Sequence, residues 1–247
     1  MMRYLLYSFT FCIFFEGISQ NQIIIDGFFE DWQNNPTVET YIDFSLDSPG
    51  TDLLSFSVTN DEDHLFIKIK LDTEVDLIDE NDLADIKLYL DTDNNPSTGY
   101  PSTDIFGSEY GIEFQARRIF DDVNYPDYTI ESLYLLNIIS MPTITSDEFE
   151  IMIDRQQFFS ESISILIKEN ISNDYMPDEN QIYSYTFHDT FSQVTDIEIE
   201  KEDESHIRVC AYNVHHDLLD PNNELELARV ISAIGADIYC FSECSEV

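Results

Sequence analysis

Apolar and polar residues alternate along much of the chain up to about residue 190, and a period of two predicts β-strands. The clearest alternating runs are Leu65–Leu71, Asp85–Leu90, Tyr110–Phe114, Phe149–Ile153, Ser162–Ile167 and Ile182–Phe187. Residues that favour turns separate them, most densely at Asn60–Asp63 and Asp91–Gly99. No long stretch of this region has helical spacing. We therefore predict a mainly β protein, with an antiparallel β-sandwich over residues 22–195.

The pattern changes in the last 42 residues. Ile207–Tyr212 alternates like a strand and runs into Asn213. Apolar residues then recur at helical spacing, and these are Leu227, Val230, Ile231 and Ile234. A second apolar run, Asp237–Cys244, has the length of a buried strand. The prediction for residues 206–247 is a strand–helix–strand unit, which an acidic linker at 196–205 joins to the sandwich.

Local residues also indicate where the helix of this unit begins and ends. Asp220 can cap its start, with Pro221 at the first helical position, and Gly235 can close it.

The N-terminus has the pattern of a secretory signal peptide. Arg3 precedes the apolar run Tyr4–Phe15, and small residues follow at Gly17–Ser19. The run is too short to span a bilayer, and no later segment is long and apolar enough to do so. We expect residues 1–20 to be a signal peptide, and the product to be secreted or periplasmic without a stable membrane anchor.

The charge balance is strongly acidic. The chain has 50 Asp and Glu against 11 Lys and Arg, a formal net charge of −39. This large negative charge repels polyanions, which argues against tight nucleic-acid binding, and it attracts cations. With 43% hydrophobic residues, the chain nevertheless has enough apolar material for a core.

The cysteines leave two alternatives open. Cys12 belongs to the signal segment, so Cys210, Cys240 and Cys244 remain, all in the C-terminal unit. Cys210 and Cys240 lie on predicted strands and could form a disulfide in an oxidising compartment. Free buried thiols are the alternative.

One acidic turn is a candidate calcium site. Asp91, Asp93 and Asn95 alternate, which brings oxygen ligands to one side of a turn, and Glu109 is a candidate to complete the set. The loop is not an EF-hand, because Pro96 stands where that loop requires glycine. The alternative is a hairpin rich in Asx turns that binds no ion.

Several short motifs in the first region resemble those of family-nine carbohydrate-binding-module-like sandwiches. They are Ile25-Asp26-Gly27, Glu30-Asp31-Trp32, Val58-Thr59-Asn60-Asp61, Leu90-Asp91-Thr92-Asp93-Asn94-Asn95 and Thr98-Gly99-Tyr100. The resemblance implies a β-sandwich and, as an expectation, a polysaccharide or cell-surface polymer as partner. Trp32 and Tyr100 are candidate sugar-stacking residues, and the alternative for Trp32 is a place in the core.

The C-terminal unit resembles the start of the endonuclease/exonuclease/phosphatase superfamily. The matching segments are Ile207-Arg-Val-Cys-Ala-Tyr-Asn-Val214 and Asp237-Ile-Tyr-Cys-Phe-Ser-Glu243. The resemblance implies that Asn213 is a catalytic residue and that Glu243 is a ligand of Mg²⁺, which would serve the hydrolysis of a phosphoester of unknown class. Ser242 departs from the pattern, because the family usually has Gln before this Glu.

The later motifs of that superfamily, a catalytic His, a Gly-Asp-x-Asn turn and an Asp-His pair, have no counterpart after Glu243. We therefore expect an N-terminal fragment of a secreted metal-dependent phosphoesterase, inactive alone. The alternative is a secreted carbohydrate- or surface-binding β-sandwich protein without catalysis.

Overall fold

The computed structural model describes residues 22–33, 35–43, 50–76, 85–101, 107–142, 145–156, 158, 160–189, 201, 203, 205–213 and 224–242. The chain divides into two compact units, residues 1–193 and 194–247. The predicted signal peptide, most of the predicted linker, and the residues Glu243 and Cys244 lie outside the described residues.

The first unit is mainly β. Its described strands are β1 (Glu39–Ile42), β2 (Leu53–Asn60), β3 (His64–Val75), β4 (Ile86–Asp91), β5 (Tyr110–Glu113), β6 (Arg118–Asp121), β7 (Thr129–Ser132), β8 (Ile139–Met141), β9 (Ser146–Asp154), β10 (Ser162–Glu169), β11 (Asp174–Met176) and β12 (Tyr183–Thr186). A short 3-10 helix occupies Leu133–Leu136. The predicted mainly β class is confirmed, and each of the six predicted runs overlaps a strand.

These strands form two antiparallel sheets. One has five strands in the order β1-β2-β3-β9-β8, and the other has seven in the order β11-β10-β4-β5-β6-β7, with β12 also paired to β10. Ser162–Ile165 of β10 pair with β12, whereas Ile167–Glu169 pair with β11. Two short strands therefore share one edge of β10.

Alternation along the strands sends one set of side chains from both sheets into a single hydrophobic cluster. In β3, Leu65 and Ile67 are fully buried, and Leu88 of β4 and Ile165 of β10 are fully buried in the same cluster. Burying one such side chain stabilises a fold by about 1.5–3 kcal/mol.

Trp32 belongs to a second, smaller cluster, with Ile23 and Phe66. The Trp32 side chain is only 5% exposed, and its Nε1 donates a hydrogen bond of 3.0 Å to Oε2 of the fully buried Glu150. The other carboxylate oxygen of Glu150 accepts a bond of 2.6 Å from the backbone N–H of Gly27. Trp32 is therefore a core residue, and its buried ring presents no surface for stacking a sugar.

The second unit contains β13 (Val209–Asn213), α1 (Glu224–Ile234) and β14 (Ile238–Ser242). The two strands pair in parallel, which requires a crossover connection such as the one that carries the helix. The helix ends at Gly235, as predicted, where φ is +56° and the N–H donates a 3.1 Å bond to the carbonyl oxygen of Ile231. The predicted cap at 220–221 lies outside the described residues. None of the described helices is long and apolar enough to cross a bilayer.

The register of β13 and β14 decides between the two cysteine alternatives for the described pair. Ala211 pairs with Cys240, so Cys210 is one position out of register and points to the opposite face. Both Cys210 and Cys240 are free thiols, but Cys210 is half-buried and Cys240 is exposed, so the burial expected for free thiols is not found for this pair.

Candidate cation site and adjoining tyrosine-lined cleft

Three carboxylates lie where β4, β5 and β6 meet at one end of the seven-stranded sheet. Asp91 ends β4, Glu109 directly precedes β5 and Asp122 directly follows β6. The hydrogen-bond ladder continues through them, since the N–H of Glu109 donates to Leu90 O at 3.0 Å and the N–H of Asp122 donates to Glu109 O at 2.8 Å. Because faces alternate along a strand, these three side chains project away from the core side taken by Leu90 and Tyr110.

Asp91, Asp93 and Glu109 form a candidate cation site. One carboxylate oxygen of each lies within 4.8 Å of the other two. Asp91 is 3% exposed and Glu109 5% exposed, whereas Asp93 faces solvent. Clustered carboxylate oxygens are the ligands that hard cations such as Ca²⁺ prefer.

The hydrogen bonding of Glu109 is incomplete in a way that points to a cation. Its Oε2 accepts bonds from the N–H of Thr92 at 2.7 Å and from the hydroxyl of Thr92 at 3.1 Å. Its Oε1 is buried and accepts no hydrogen bond. A buried carboxylate oxygen without a donor costs about 1–3 kcal/mol, and a bound cation would supply the missing partner.

The pKa values of two of these carboxyl groups also favour a bound cation. Burial, followed by the neighbouring Glu109 carboxylate, raises the pKa of Asp91 to about 6. Burial also raises the pKa of Glu109, and the Asp93 carboxylate adds to that effect. Since both shifts disfavour the charged forms, the site is electrostatically costly when metal-free, and a cation offsets that cost.

The same carboxylates fold the turn that follows β4. Asp93 Oδ1 accepts a bond of 2.9 Å from the N–H of Asn95 and one of 3.0 Å from the hydroxyl of Thr98. Asp91 Oδ1 accepts a third from the N–H of Asn95 at 3.2 Å. The side chain of Asn95 accepts from the N–H of Ser97 at 3.1 Å. The predicted ligand Asn95 therefore engages the carboxylates through its backbone, and its side-chain oxygen closes the turn.

A backbone clamp joins the far end of this turn to the segment that carries Glu109. The N–H of Tyr100 donates to Ser108 O at 2.9 Å, and the N–H of Gly107 donates to Tyr100 O at 3.0 Å. A β-carbon on Gly107, whose φ is +74°, would lie 2.7 Å from Thr98 O. Only glycine permits this close contact between residue 107 and the Thr98 carbonyl oxygen. The Tyr100 backbone is therefore held beside Ser108, the residue that precedes Glu109.

A cleft of about 470 Å³ opens beside the carboxylates on the outward face of the same sheet. Its floor crosses three strands, because Tyr89 of β4 pairs with Gly111 of β5 and Gly111 pairs with Phe120 of β6. Gly111 leaves the centre of the floor without a side chain. The volume lies within the range of about 300–1,000 Å³ that is typical of small-ligand sites.

Aromatic residues dominate the walls of the cleft. The lining residues are Lys87, Tyr89, Tyr100, Ser108, Gly111, Phe120, Asp122, Tyr125, Pro126 and Tyr128. Tyr100 and Tyr125 meet edge to face, with 5.7 Å between their ring centroids, and are 41% and 43% exposed. Lys87 forms an ion pair with Glu113, which also pairs with Arg118. The cleft therefore combines exposed aromatic rings with one lysine, whose positive charge Glu113 already partly neutralises.

Tyr100 is the only predicted ligand-binding residue at this cleft. Tyr89, Tyr125 and Tyr128 were not predicted, although Tyr125 and Tyr128 stand three residues apart in an otherwise polar turn. That pairing of tyrosines is the signal that could have identified them. In the sequence, Tyr89 looks like any other residue of a strand, and no local signal marks it as part of a binding site.

The candidate phosphoesterase residues belong to the second unit. Asn213 ends β13 and pairs with Ser242, the last residue of β14. Glu243 follows Ser242 in the sequence and lies outside the described residues.

Comparison with protein-family models, with curated proteins and with solved structures finds no match to this chain.

Proposed function

We propose that the first unit is a β-sandwich that binds a neutral polysaccharide in the tyrosine-lined cleft, beside a Ca²⁺ ion held by Asp91, Asp93 and Glu109. The observation that carries the proposal is the cleft itself, which is lined by four tyrosines and Phe120 and has Gly111, without a side chain, in its floor. Aromatic rings give flat apolar surfaces for the C–H faces of a sugar ring, and tyrosine hydroxyls exchange hydrogen bonds with sugar hydroxyls.

The charge of the protein selects among polysaccharides. A net charge of −39 repels anionic polymers such as polyuronates. Lys87, the cation that lines the cleft, is already paired with Glu113. A neutral polysaccharide meets no such repulsion, so it is the ligand class that this surface favours.

Calcium is the cation that best suits the site formed by Asp91, Asp93 and Glu109. The ligands come from an irregular turn and a strand end, and Ca²⁺ tolerates such irregular oxygen sets better than Mg²⁺ does. The unpartnered, buried Oε1 of Glu109 supplies an observation independent of the acidic composition.

Affinity electrophoresis of the whole chain through gels containing soluble β-glucan, xylan, galactomannan or polygalacturonate tests the proposal. With Ca²⁺ present, we expect at least one neutral polymer to retard the protein and polygalacturonate not to. Tyr100→Ala and Tyr125→Ala should each abolish the retardation. Tyr134→Ala is the matched control, because Tyr134 is 86% exposed and does not line the cleft. Migration unaffected by every neutral polymer would contradict the proposal.

A second function is proposed for the second unit, as the opening strand–helix–strand of a metal-dependent phosphoesterase. The register favours it, since Asn213 pairs with the residue that precedes Glu243. Parallel strands end at the same edge of a sheet, where a phosphate-orienting Asn and a metal-binding Glu would be needed together.

Reading the coding sequence beyond Val247 tests this second function. We expect a catalytic His and an Asp-His pair downstream, and hydrolysis of bis(p-nitrophenyl) phosphate by the longer product in Mg²⁺. Asn213→Ala and Glu243→Gln should each remove that activity. A downstream sequence without those residues, or a rate insensitive to both substitutions, would refute the assignment.

A further inference from the structure

We propose that cation binding at Asp91, Asp93 and Glu109 organises the tyrosine-lined cleft, so that the cleft binds its polysaccharide in a calcium-dependent manner. This inference rests on the proposed function and adds its regulation. Two chains of contacts lead from the carboxylates to the cleft wall.

The first chain of contacts runs through the turn after β4. The Asp93 carboxylate holds the N–H of Asn95 at 2.9 Å and the hydroxyl of Thr98 at 3.0 Å. Two residues after Thr98 comes Tyr100, a wall of the cleft. The position of the Tyr100 ring therefore depends on a turn that two of the candidate ligands, Asp91 and Asp93, fold.

The second chain of contacts runs through Glu109. Its neighbour Ser108 is clamped to the backbone of Tyr100 at 2.9 Å, and the Glu109 carbonyl oxygen accepts the N–H of Asp122 at 2.8 Å. Asp122 O in turn accepts the N–H of Tyr125 at 2.9 Å. Glu109 thus lies between the two tyrosines that meet edge to face across the cleft.

Repulsion among the carboxylates acts on both chains when the cation is removed. Three carboxylate oxygens within 4.8 Å of one another push apart the turn that carries Tyr100 and the strand end that carries Glu109. A bound cation reverses this force and fixes both. Because coupling between two sites is reciprocal, a ligand that fixes the tyrosines must also strengthen cation binding by the same factor.

Hydrogen exchange measured by mass spectrometry tests the coupling with Ca²⁺ alone, before any saccharide is added. On the whole chain, we expect saturating Ca²⁺ to slow exchange in two places. One is residues 93–101, and the other is residues 122–128, which join the site through the hydrogen bond from the N–H of Asp122 to Glu109 O. About tenfold slowing at 122–128 lies within the range typical of coupled sites. Slowing confined to 93–101, or absent, would overturn the inference.

Two variants with matched controls keep the test independent of folding failure. Asp93→Asn changes a solvent-facing ligand and should abolish the Ca²⁺-induced slowing at 122–128. Asp63→Asn, the same change at an exposed residue of the β2–β3 turn, should not. Glu109→Gln should act like Asp93→Asn, and Glu148→Gln in the five-stranded sheet should act like the wild type. Equal slowing in Asp93→Asn and wild type would overturn the inference.

The polysaccharide readout separates failure of the coupling from failure of the proposed function. Affinity electrophoresis in β-glucan, xylan and galactomannan is repeated with Ca²⁺ and with EGTA. We expect at least about fivefold weaker apparent affinity in EGTA. Equal retardation in the two buffers would overturn the coupling and leave polysaccharide binding intact. If no polymer retards the protein, polysaccharide binding is refuted, while exchange at 122–128 still decides the coupling.

Discussion

Replacing Glu109 with Gln should reverse the stability order of variant and wild type when Ca²⁺ is added. Gln keeps nearly the same shape and can still accept the hydrogen bond that the N–H of Thr92 donates to Glu109 at 2.7 Å. It removes one negative charge from a site where Asp91 and Glu109 are 3% and 5% exposed. The substitution therefore isolates charge from packing.

The structure gives the size of the expected effect. Two unit charges at the 4.8 Å limit of the cluster repel by about 3.5 kcal/mol at an effective dielectric constant of about 20. In metal-free buffer at pH 7, Glu109→Gln should raise the free energy of unfolding by about that amount. At a Ca²⁺ concentration of about 100 times the dissociation constant, the wild type should gain about 2.7 kcal/mol, and the variant much less.

Urea unfolding followed by tryptophan fluorescence measures this change in the first unit. The chain has a single tryptophan, and Trp32 is buried there at 5% exposure. Glu148→Gln is the control, because it removes the same charge from a half-buried ion pair with Lys68 in the five-stranded sheet. Any shift in its free energy of unfolding should be the same in both buffers. Equal stabilisation of Glu109→Gln and the wild type by Ca²⁺ would refute cation binding through the Glu109 carboxylate.

Three further predictions follow from the same contacts. The pKa of Asp91 is raised to about 6 from an ordinary value of 3.8, so the folded protein binds this proton more tightly than the unfolded chain. The contribution of Asp91 to metal-free stability should accordingly fall by about 2 kcal/mol between pH 4 and pH 6. Urea unfolding of the wild type and of Asp91→Asn across this range measures it, and identical pH profiles for the two would contradict it. Trp32→Phe should destabilise the first unit by about 1–3 kcal/mol in thermal unfolding, because it leaves an oxygen of the buried Glu150 without its donor; polysaccharide retardation should persist, and its loss would place Trp32 in the binding site after all. Gly111→Val should fill the cleft floor against the Tyr89 ring, which a β-carbon would approach to 3.3 Å, and abolish retardation; unchanged retardation would mean that the ligand binds elsewhere.

The strands that could be predicted from the sequence are those with one side chain in two buried in the core. In β3, the buried Ile67, Ile69 and Leu71 alternate with the half-buried Lys68 and Lys70, which is a clear period-two pattern. β7 has no such signal, because all four of its residues, Thr129–Ser132, are exposed. It forms by pairing with β6 across the turn at 122–128, an interaction that the pattern within residues 129–132 does not reveal.

The candidate cation site could be predicted from the sequence, whereas the cleft could not. Asp91 and Asp93 stand two residues apart in one turn, so the sequence alone indicates a cation site, and the structure adds the buried, unpartnered oxygen of Glu109. The cleft depends on Tyr89 and Gly111 lying opposite each other on paired strands. Nothing local to either residue predicts that pairing, and the floor of the cleft exists only once the strands are assembled.

The most direct test of the account is the electrophoretic comparison of Tyr125→Ala with Tyr134→Ala in neutral polysaccharide gels containing Ca²⁺. Both substitutions remove an exposed tyrosine, with 43% and 86% of the residue accessible, but only Tyr125 lines the cleft. Polysaccharide binding at the cleft predicts retardation of the wild type and of Tyr134→Ala, and free migration of Tyr125→Ala. Equal migration of all three proteins, retarded or not, would contradict it.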